Sequence, residues 1–197
     1  MALKLVIFDL DGTLLEQGLD FEAIRRKIGL PPVVPILETM EALPPAARER
    51  AFAILDRREA EAAAVSRLMP GARELLDWLR GRGVKTALLT RNSRVSVETA
   101  RARHGLAIDA IVTRETHAPK PSPEGVRHLM ARFGAGADET VVVGDYRYDI
   151  EAGQSAGTRT IALITEAKTW AKDATWIASS LDEVREILQR LVERPPA

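Results

Sequence analysis

Five short apolar runs, separated by longer amphipathic segments, are the feature that most constrains how this chain can fold. They cover residues 3–8, 84–89, 110–112, 140–143 and 159–163, and each is too short to form a helix. Several are rich in Val and Ile, which favour strands. Strands that alternate with helices form a parallel sheet that is covered on both faces. The sequence therefore predicts an α/β protein with a doubly wound, Rossmann-like parallel sheet.

The alternation is interrupted over residues 16–66, which contain helical patterns and no clear strand. The clearest helical pattern covers residues 46–68. Its predicted apolar stripe consists of Ala51, Ile54, Leu55, Ala62, Val65 and Leu68. We interpret residues 16–66 as a small α-helical cap inserted after the first strand, and residues 1–15 with 67–197 as the α/β core. The alternative is that these helices only enlarge the core.

Charge and cysteine content exclude several classes of function. Lys plus Arg and Asp plus Glu each total 28, so the chain has no net charge that would attract nucleic acid or an anionic membrane. The absence of cysteine excludes disulfides, thiolate nucleophiles and cysteine-ligated zinc. No segment is long and apolar enough to cross a bilayer. We expect a cytoplasmic protein, a monomer or small homo-oligomer, with neither nucleic acid nor membrane as a partner.

An acidic pair follows the first apolar run. Asp9 and Asp11 leave the predicted strand two residues apart, and Gly12 behind them permits a tight turn or a close backbone approach. Paired carboxylates beside a buried strand repel each other and lose hydration unless a cation or a proton compensates. Hard oxygen ligands with no His or Cys nearby favour Mg²⁺. The pair therefore predicts a magnesium site.

Polar side chains also follow the next three runs. Thr90 and Arg91 precede a predicted helix, whose N-terminus is suited to bind phosphate. Lys120 lies between two prolines, and Asp145 and Asp149 follow the fourth run. Each of these residues alone is more simply a helix cap, a turn former or a solvated side chain. Because ligands of such sheets bind at the carboxyl ends of the strands, their joint order predicts one shared site.

Four sequence motifs resemble those of the haloacid dehalogenase-like (HAD) superfamily. They are DLDGT at 9–13, LLTRNS at 88–93, KPSP at 120–123 and GDYRYD at 144–149. The first is highly specific, whereas the other three are informative because they occur in this order. The similarity extends from residue 3 to about residue 188. The position of the insertion resembles the helical cap of the phosphoglycolate-phosphatase-like branch.

The resemblance implies a division of labour among the acidic residues. Asp9 is expected to be the nucleophile that forms an aspartyl-phosphate. Asp11 is expected to protonate the leaving oxygen and later to remove a proton from the hydrolytic water. Mg²⁺ is expected to bind Asp9, the backbone carbonyl of Asp11 and Asp145, with Asp149 as a ligand or as support. An acid at position 11 favours hydrolysis of phosphomonoesters, or mutase chemistry, over dehalogenation.

The resemblance also implies how the phosphoryl group is held. Thr90 and Lys120 are expected to bind its oxygens, helped by backbone N–H groups near Leu10 and Arg91. The resulting prediction is a magnesium-dependent phosphatase that acts on a small phosphomonoester, which is phosphoglycolate-like or else a nucleotide or sugar phosphate. Two alternatives remain, a phosphomutase of the same fold and a non-catalytic binding or regulatory protein. The bulky Tyr146, where a small residue is frequent, and the short cap leave the substrate open.

Overall fold

Six parallel strands form one sheet in the computed structural model, which describes residues 3–193. They are β1 (Leu5–Phe8), β2 (Lys85–Leu89), β3 (Ala110–Val112), β4 (Thr140–Gly144), β5 (Arg159–Leu163) and β6 (Trp176–Ala178). Their order in the sheet is β3-β2-β1-β4-β5-β6, and each neighbouring pair is parallel. Residues 1–2 and 194–197, at the ends of the predicted core, lie outside the described residues.

Helices connect the strands and cover both faces of the sheet. They are α1 (Phe21–Ile28), α2 (Ile36–Glu41), α3 (Pro45–Val65), α4 (Ala72–Gly81), α5 (Arg94–His104), α6 (Glu124–Phe133), α7 (Arg147–Ser155) and α8 (Leu181–Val192). Two 3₁₀ turns, Ala137–Glu139 and Thr169–Asp173, precede β4 and β6. No helix among residues 3–193 is long and apolar enough to cross a membrane.

The central strand β1 shows why the sheet must be covered on both sides. Its four side chains are completely buried, and they point alternately to opposite faces. Val6 and Phe8 belong to the core formed with α4, α5 and α8, whereas Leu5 and Ile7 pack in the core formed with α6 and α7. The predicted fold class, a doubly wound α/β sheet with helices inserted after its first strand, is therefore confirmed.

The edge strand β6 was not predicted from the sequence. It has three residues, pairs with β5 and leaves Ile177 54% exposed at the margin of the sheet. A strand this short, with an exposed central residue, lacks both the continuous apolar run and the length that identify buried strands. The first strand also begins at Leu5, two residues later than predicted.

Helices α1, α2 and α3 occupy the inserted segment and share an apolar cluster of their own. The cluster contains Ile24, Ile36, Leu37, Met40, Ala51 and Leu55. The predicted stripe on α3 was partly wrong, because its buried residues are Ala51, Leu55, Glu59 and Ala63, whereas Val65 is 72% exposed. A charged residue on the buried face concealed the true pattern. The division between cap (16–66) and core stays a prediction.

The contact between α7 and the sheet leads to a test of packing. A methyl group on Gly153 would lie 2.5 Å from Cγ2 of Thr160 and 3.2 Å from Cβ of Val142. We expect Gly153→Ala to lower the free energy of unfolding by about 1–3 kcal/mol, because overpacked cores must shift to relieve such contacts. Chemical denaturation measures the change. In the matched control Gly81→Ala, the added methyl meets nothing within 4 Å, so stability should be unchanged or slightly higher. Equal losses in both variants would contradict this account of the packing.

Candidate active site

The ends of β1 and β4 bring acidic residues together. Asp9 follows β1 and Asp145 follows β4, and these strands are neighbours in the sheet. The backbone N–H of Asp9 donates to the carbonyl of Val143 at 2.9 Å, so the parallel ladder extends to the first acid. The strand order reverses between β1 and β4, which is the position where open α/β sheets bind ligands.

Three carboxylates form a cluster suited to a hard cation. Asp9, Asp145 and Asp149 each direct an oxygen into a region where these oxygens lie within 4.8 Å of one another. Asp149 is 1% exposed. Carboxylate oxygens without His or Cys match the ligands of Mg²⁺, so the residues fit the predicted ion. The side chain of Asp11 is outside the cluster, and the sequence prediction assigned only its backbone carbonyl to the metal.

Lys120 is the buried cation of this cluster. Its Nζ donates to Oδ1 of Asp9 at 2.6 Å and to Oδ1 of Asp149 at 2.5 Å, and the residue is 3% exposed. Burial alone would lower the pKa of this ammonium. The adjacent Asp149 and Asp9 carboxylates outweigh that effect, and the pKa of Lys120 is raised. The side chain therefore stays charged at neutral pH.

Burial gives the acids unusual protonation equilibria. Removal from water raises the pKa of Asp11 to about 6, although a hydrogen bond from Asn92 lowers it and the Asp9 charge raises it further. Burial, together with the charge of Asp9, also raises the pKa values of Asp145 and Asp149. One ammonium does not balance this much negative charge. A divalent cation would favour the ionised forms of the clustered carboxylates.

Two motif glycines leave room for these acids. Gly12 has φ of 78°, and a Cβ there would lie 2.2 Å from Oδ2 of Asp145. A Cβ on Gly144 would lie 2.1 Å from Cγ of Asp149. Any side chain at either position would collide with an acid of the cluster. Gly12 therefore has both of the properties that its place in the sequence suggested, a turn with positive φ and a close approach of the backbone to another group.

The loop after β2 contacts the acid at position 11. Thr90 is buried, and its Oγ1 accepts a hydrogen bond from the backbone N–H of Asn92 at 3.2 Å. The side-chain amide of Asn92 donates to Oδ2 of Asp11 at 2.5 Å. This contact holds the Asp11 carboxyl toward the loop. The sequence placed Asn92 beside Thr90 as an amide donor for phosphate, but it did not indicate the contact with Asp11.

Arg91 lines the site, but its guanidinium is already paired. Nη2 donates to both carboxylate oxygens of Glu38 on α2, at 2.9 and 2.8 Å, and Nη1 donates to the carbonyl of Lys120. The guanidinium also lies 4.8 Å from the ring centre of Tyr148. Any phosphate contact by Arg91 thus competes with Glu38. The side chain of Leu10 is buried, and its carbonyl accepts hydrogen bonds from the turn that follows.

Sequence patterns did not indicate a buried ion pair that lies near this loop. Glu59 on α3 is 3% exposed, and its carboxylate accepts hydrogen bonds from Arg114 at 2.7 and 2.9 Å. Charged residues on helices and in loops are usually solvated, so neither residue gives a local signal. The two residues lie 55 positions apart in the chain. Only the tertiary structure identifies this pair.

A cavity of about 400 Å³ lies between the strand ends and the inserted helices. Its core side includes Asp9, Asp11, Thr90, Lys120 and Asp145. The inserted segment contributes Phe21, Arg25, Val33, Val34 and Leu37. Tyr146, Arg147 and Tyr148 also line it. The cavity has the size of a typical small-molecule site and contains all the predicted side-chain ligands.

Comparisons with known proteins show which sequences and structures this chain resembles. A family model described as haloacid dehalogenase-like hydrolase matches residues 3–157. The N-acetylmuramic acid 6-phosphate phosphatase of Pseudomonas aeruginosa is 30% identical over 186 residues, which cover 83% of this chain and 82% of that protein. The phosphoglycolate phosphatase of Pseudomonas syringae pv. tomato is 28% identical over 187 residues, covering 81% and 69%. The crystal structure of a predicted phosphoglycolate phosphatase from Haemophilus somnus shares the fold, with a TM-score of 0.74, 21% identity and coverage of 94% of this chain and 97% of that one.

The raised pKa values lead to a prediction about stability. Without a divalent cation, the free energy of unfolding should fall as pH rises from the ordinary Asp value of 3.8 through about 8. The sign follows because a carboxyl with a raised pKa binds its proton more tightly when folded, and this stabilisation is lost on deprotonation. Adding Mg²⁺ should stabilise the protein more at about pH 8 than at about pH 5, since it binds the ionised carboxylates.

Chemical denaturation with EDTA or with excess Mg²⁺, at both pH values, measures these effects. In the Asp145→Asn variant, one of the titrating carboxyls is absent, so both the decline with pH and the Mg²⁺ stabilisation should be smaller. A stability that is independent of pH in EDTA, or a Mg²⁺ effect that is equal in the two proteins, would contradict the prediction.

Proposed function

Because this chain belongs to the haloacid dehalogenase-like hydrolases, we propose that it hydrolyses a small phosphomonoester through an aspartyl-phosphate on Asp9. The observation that carries the proposal is the convergence of Asp9, Asp11 and Lys120 on one cavity. A carboxylate nucleophile, a second carboxyl with a raised pKa and a buried ammonium are the groups that such a reaction needs.

In the first step, a carboxylate oxygen of Asp9 attacks phosphorus and the bond to the leaving oxygen breaks. Asp11 donates its proton to that oxygen, which departs as an alcohol. The raised pKa of Asp11, about 6, supports this assignment because a fraction of the carboxyl remains protonated near neutral pH. Lys120, Thr90 and the backbone amides near Leu10 and Arg91 bind the phosphoryl oxygens.

In the second step, water attacks the phosphorus of the aspartyl-phosphate. Asp11, now ionised, removes a proton from that water, and the bond between phosphorus and Asp9 breaks. Inorganic phosphate leaves and the Asp9 carboxylate is regenerated. The hydrogen bond from Asn92 holds Asp11 in one orientation for both proton transfers.

Magnesium is the cofactor that the carboxylate cluster fits. Asp9, Asp145 and the backbone carbonyl of Asp11 would hold it, with Asp149 as a ligand or as support for Lys120. Bound there, the ion supplies positive charge that offsets the repulsion between a carboxylate nucleophile and a phosphate dianion.

The cavity lining favours a leaving group that carries its own anion. Four cations line the cavity, and three are bound to acids: Arg25 to Glu22, Arg91 to Glu38, and Lys120 to the acidic cluster. Arg147 has no carboxylate within ion-pair distance among residues 3–193. The names of the two phosphatase relatives specify phosphorylated acids, phosphoglycolate and N-acetylmuramic acid 6-phosphate. A phosphoglycolate-like acid is therefore our first candidate, ahead of nucleotide and sugar phosphates.

The nucleophile is tested by Asp9→Asn. We expect kcat for phosphate release to fall by roughly 10³-fold or more, because an amide oxygen does not form the covalent intermediate. The assay measures phosphate released from a panel of phosphomonoesters, with Mg²⁺ and with EDTA. The control, Asp77→Asn, changes an exposed acid of α4 and should behave as the unmodified protein. Full activity of Asp9→Asn in a folded sample would overturn the mechanism.

The same panel separates the alternatives. Release of phosphate that requires Mg²⁺ identifies a phosphatase. Conversion of a hexose phosphate to its isomer without release identifies a phosphomutase. A folded, Mg²⁺-binding sample that does neither favours a binding or regulatory protein.

The recognition of an anionic leaving group is tested by Arg147→Gln. We expect kcat/KM for phosphoglycolate to fall roughly 10- to 100-fold, mainly through KM, because one charge-assisted contact is lost. The kcat/KM value for 2-hydroxyethyl phosphate, whose leaving group carries no charge, should change little. Arg26→Gln, at an exposed cation of α1 that does not line the cavity, is the matched control. Equal losses for both esters would argue against an anion contact at Arg147.

A further inference from the structure

The pair formed by Glu59 and Arg114 lies beside the active site but takes no part in the proposed chemistry. Their side chains are 3% and 6% exposed, and Nη1 of Arg114 contacts both oxygens of Glu59 at 2.7 and 2.9 Å. Nη2 of Arg114 donates to Asp56, one turn earlier on α3. Burying two opposite charges gives little net stability relative to a well-packed apolar pair. Stability alone therefore does not explain these residues.

Both partners bind the backbone of the loop after β2. Oε2 of Glu59 accepts a hydrogen bond from the N–H of Ser93 at 2.9 Å, and Nη1 of Arg114 donates to the carbonyl of Arg91 at 2.8 Å. The carbonyl of Glu59 also accepts from the hydroxyl of Ser96 at 3.3 Å. The two bound backbone groups flank Asn92. An apolar pair of the same volume would supply neither contact.

The immobilised loop carries the group that holds Asp11. Asn92 lies between the two bound backbone groups, and its side-chain amide donates to Asp11 at 2.5 Å. A shift of the loop backbone would move this amide and with it the carboxyl of Asp11. Errors of about 1 Å in such positions lower reaction rates substantially.

We infer that Glu59 and Arg114 are positioning residues that fix residues 91–93 and thereby aim Asp11 at the leaving oxygen. Glu59 is on the inserted helix α3, whereas Arg114 follows β3 in the core. The proton donor is thus held correctly only when α3 is docked on the core. This inference rests on the proposed function, in which Asp11 is the acid.

The test uses leaving groups that differ in their need for a proton. An alkyl phosphate such as 2-hydroxyethyl phosphate needs an acid, whereas p-nitrophenyl phosphate releases a stable phenolate without one. We expect Glu59→Gln to lower kcat/KM, which reports formation of the aspartyl-phosphate, roughly 10- to 100-fold for the alkyl ester, part of the usual contribution of general acid catalysis. We expect kcat/KM for the aryl ester to change little. Hydrolysis of the aspartyl-phosphate, in which Asp11 acts on water, is common to both esters and does not enter kcat/KM. A merely structural defect would lower both rates equally.

Three further variants make the result interpretable. Asp11→Asn should give the same selectivity with a larger loss, and Glu61→Gln, at an exposed acid of α3, should leave both rates unchanged. Arg114→Lys keeps the positive charge but loses the planar guanidinium that contacts several acceptors, so it should show the same selectivity. This variant replaces Glu59→Gln in the test if Glu59→Gln does not fold.

The outcomes separate this inference from the proposed function. Equal losses on both esters, or no loss on either, in folded Glu59→Gln and Arg114→Lys would overturn the positioning assignment while Asp11→Asn still shows selectivity. If Asp11→Asn itself shows no selectivity, the acid assignment in the proposed function fails instead.

Discussion

The mutual repulsion of buried carboxylates is the constraint on which the rest of the site depends. Asp9, Asp145 and Asp149 meet because β1 and β4 are adjacent and parallel, and the chain gives them one ammonium, Lys120. Such an arrangement is costly without a further cation. Lys120 offsets one of the three carboxylate charges, and a divalent cation would offset the other two. The ionised carboxylates therefore need more positive charge than Lys120 alone supplies.

The surrounding backbone is adapted to the same constraint. Gly12 and Gly144 have no side chain where one would collide with Asp145 or Asp149. The buried sheet beneath them is apolar on both faces, so the acids gain no hydration from that side. This low-polarity base explains why burial is the largest cause of the raised pKa of Asp145. The fold thus raises the pKa of Asp145 by burying it at the end of a strand.

Sequence could predict the fold class and the residues at the strand ends, because both depend on local pattern. A buried strand has a short apolar run, and the residue after it has a fixed place in a parallel sheet. The same reasoning failed for β6, which is short and exposed at an edge. It also failed for Glu59 and Arg114, whose importance depends on a partner far away in the chain. Long-range pairing of charged residues leaves no periodic signal, whereas apolar burial does.

Within residues 3–193, two arginines of the core pair with acids of the inserted helices, Arg91 with Glu38 and Arg114 with Asp56 and Glu59. The different burial of these pairs gives them different energetic weight. The pair of Arg91 with Glu38 is partly exposed, with side-chain exposures of 20% and 47%, and such surface pairs contribute about 0–1 kcal/mol. Removing either partner of the pair formed by Arg114 and Glu59 would leave the other charge buried and unpaired, at a cost of about 3–5 kcal/mol. The pair formed by Glu38 therefore contributes less to holding α2 against the core than the buried pair formed by Glu59 contributes to holding α3.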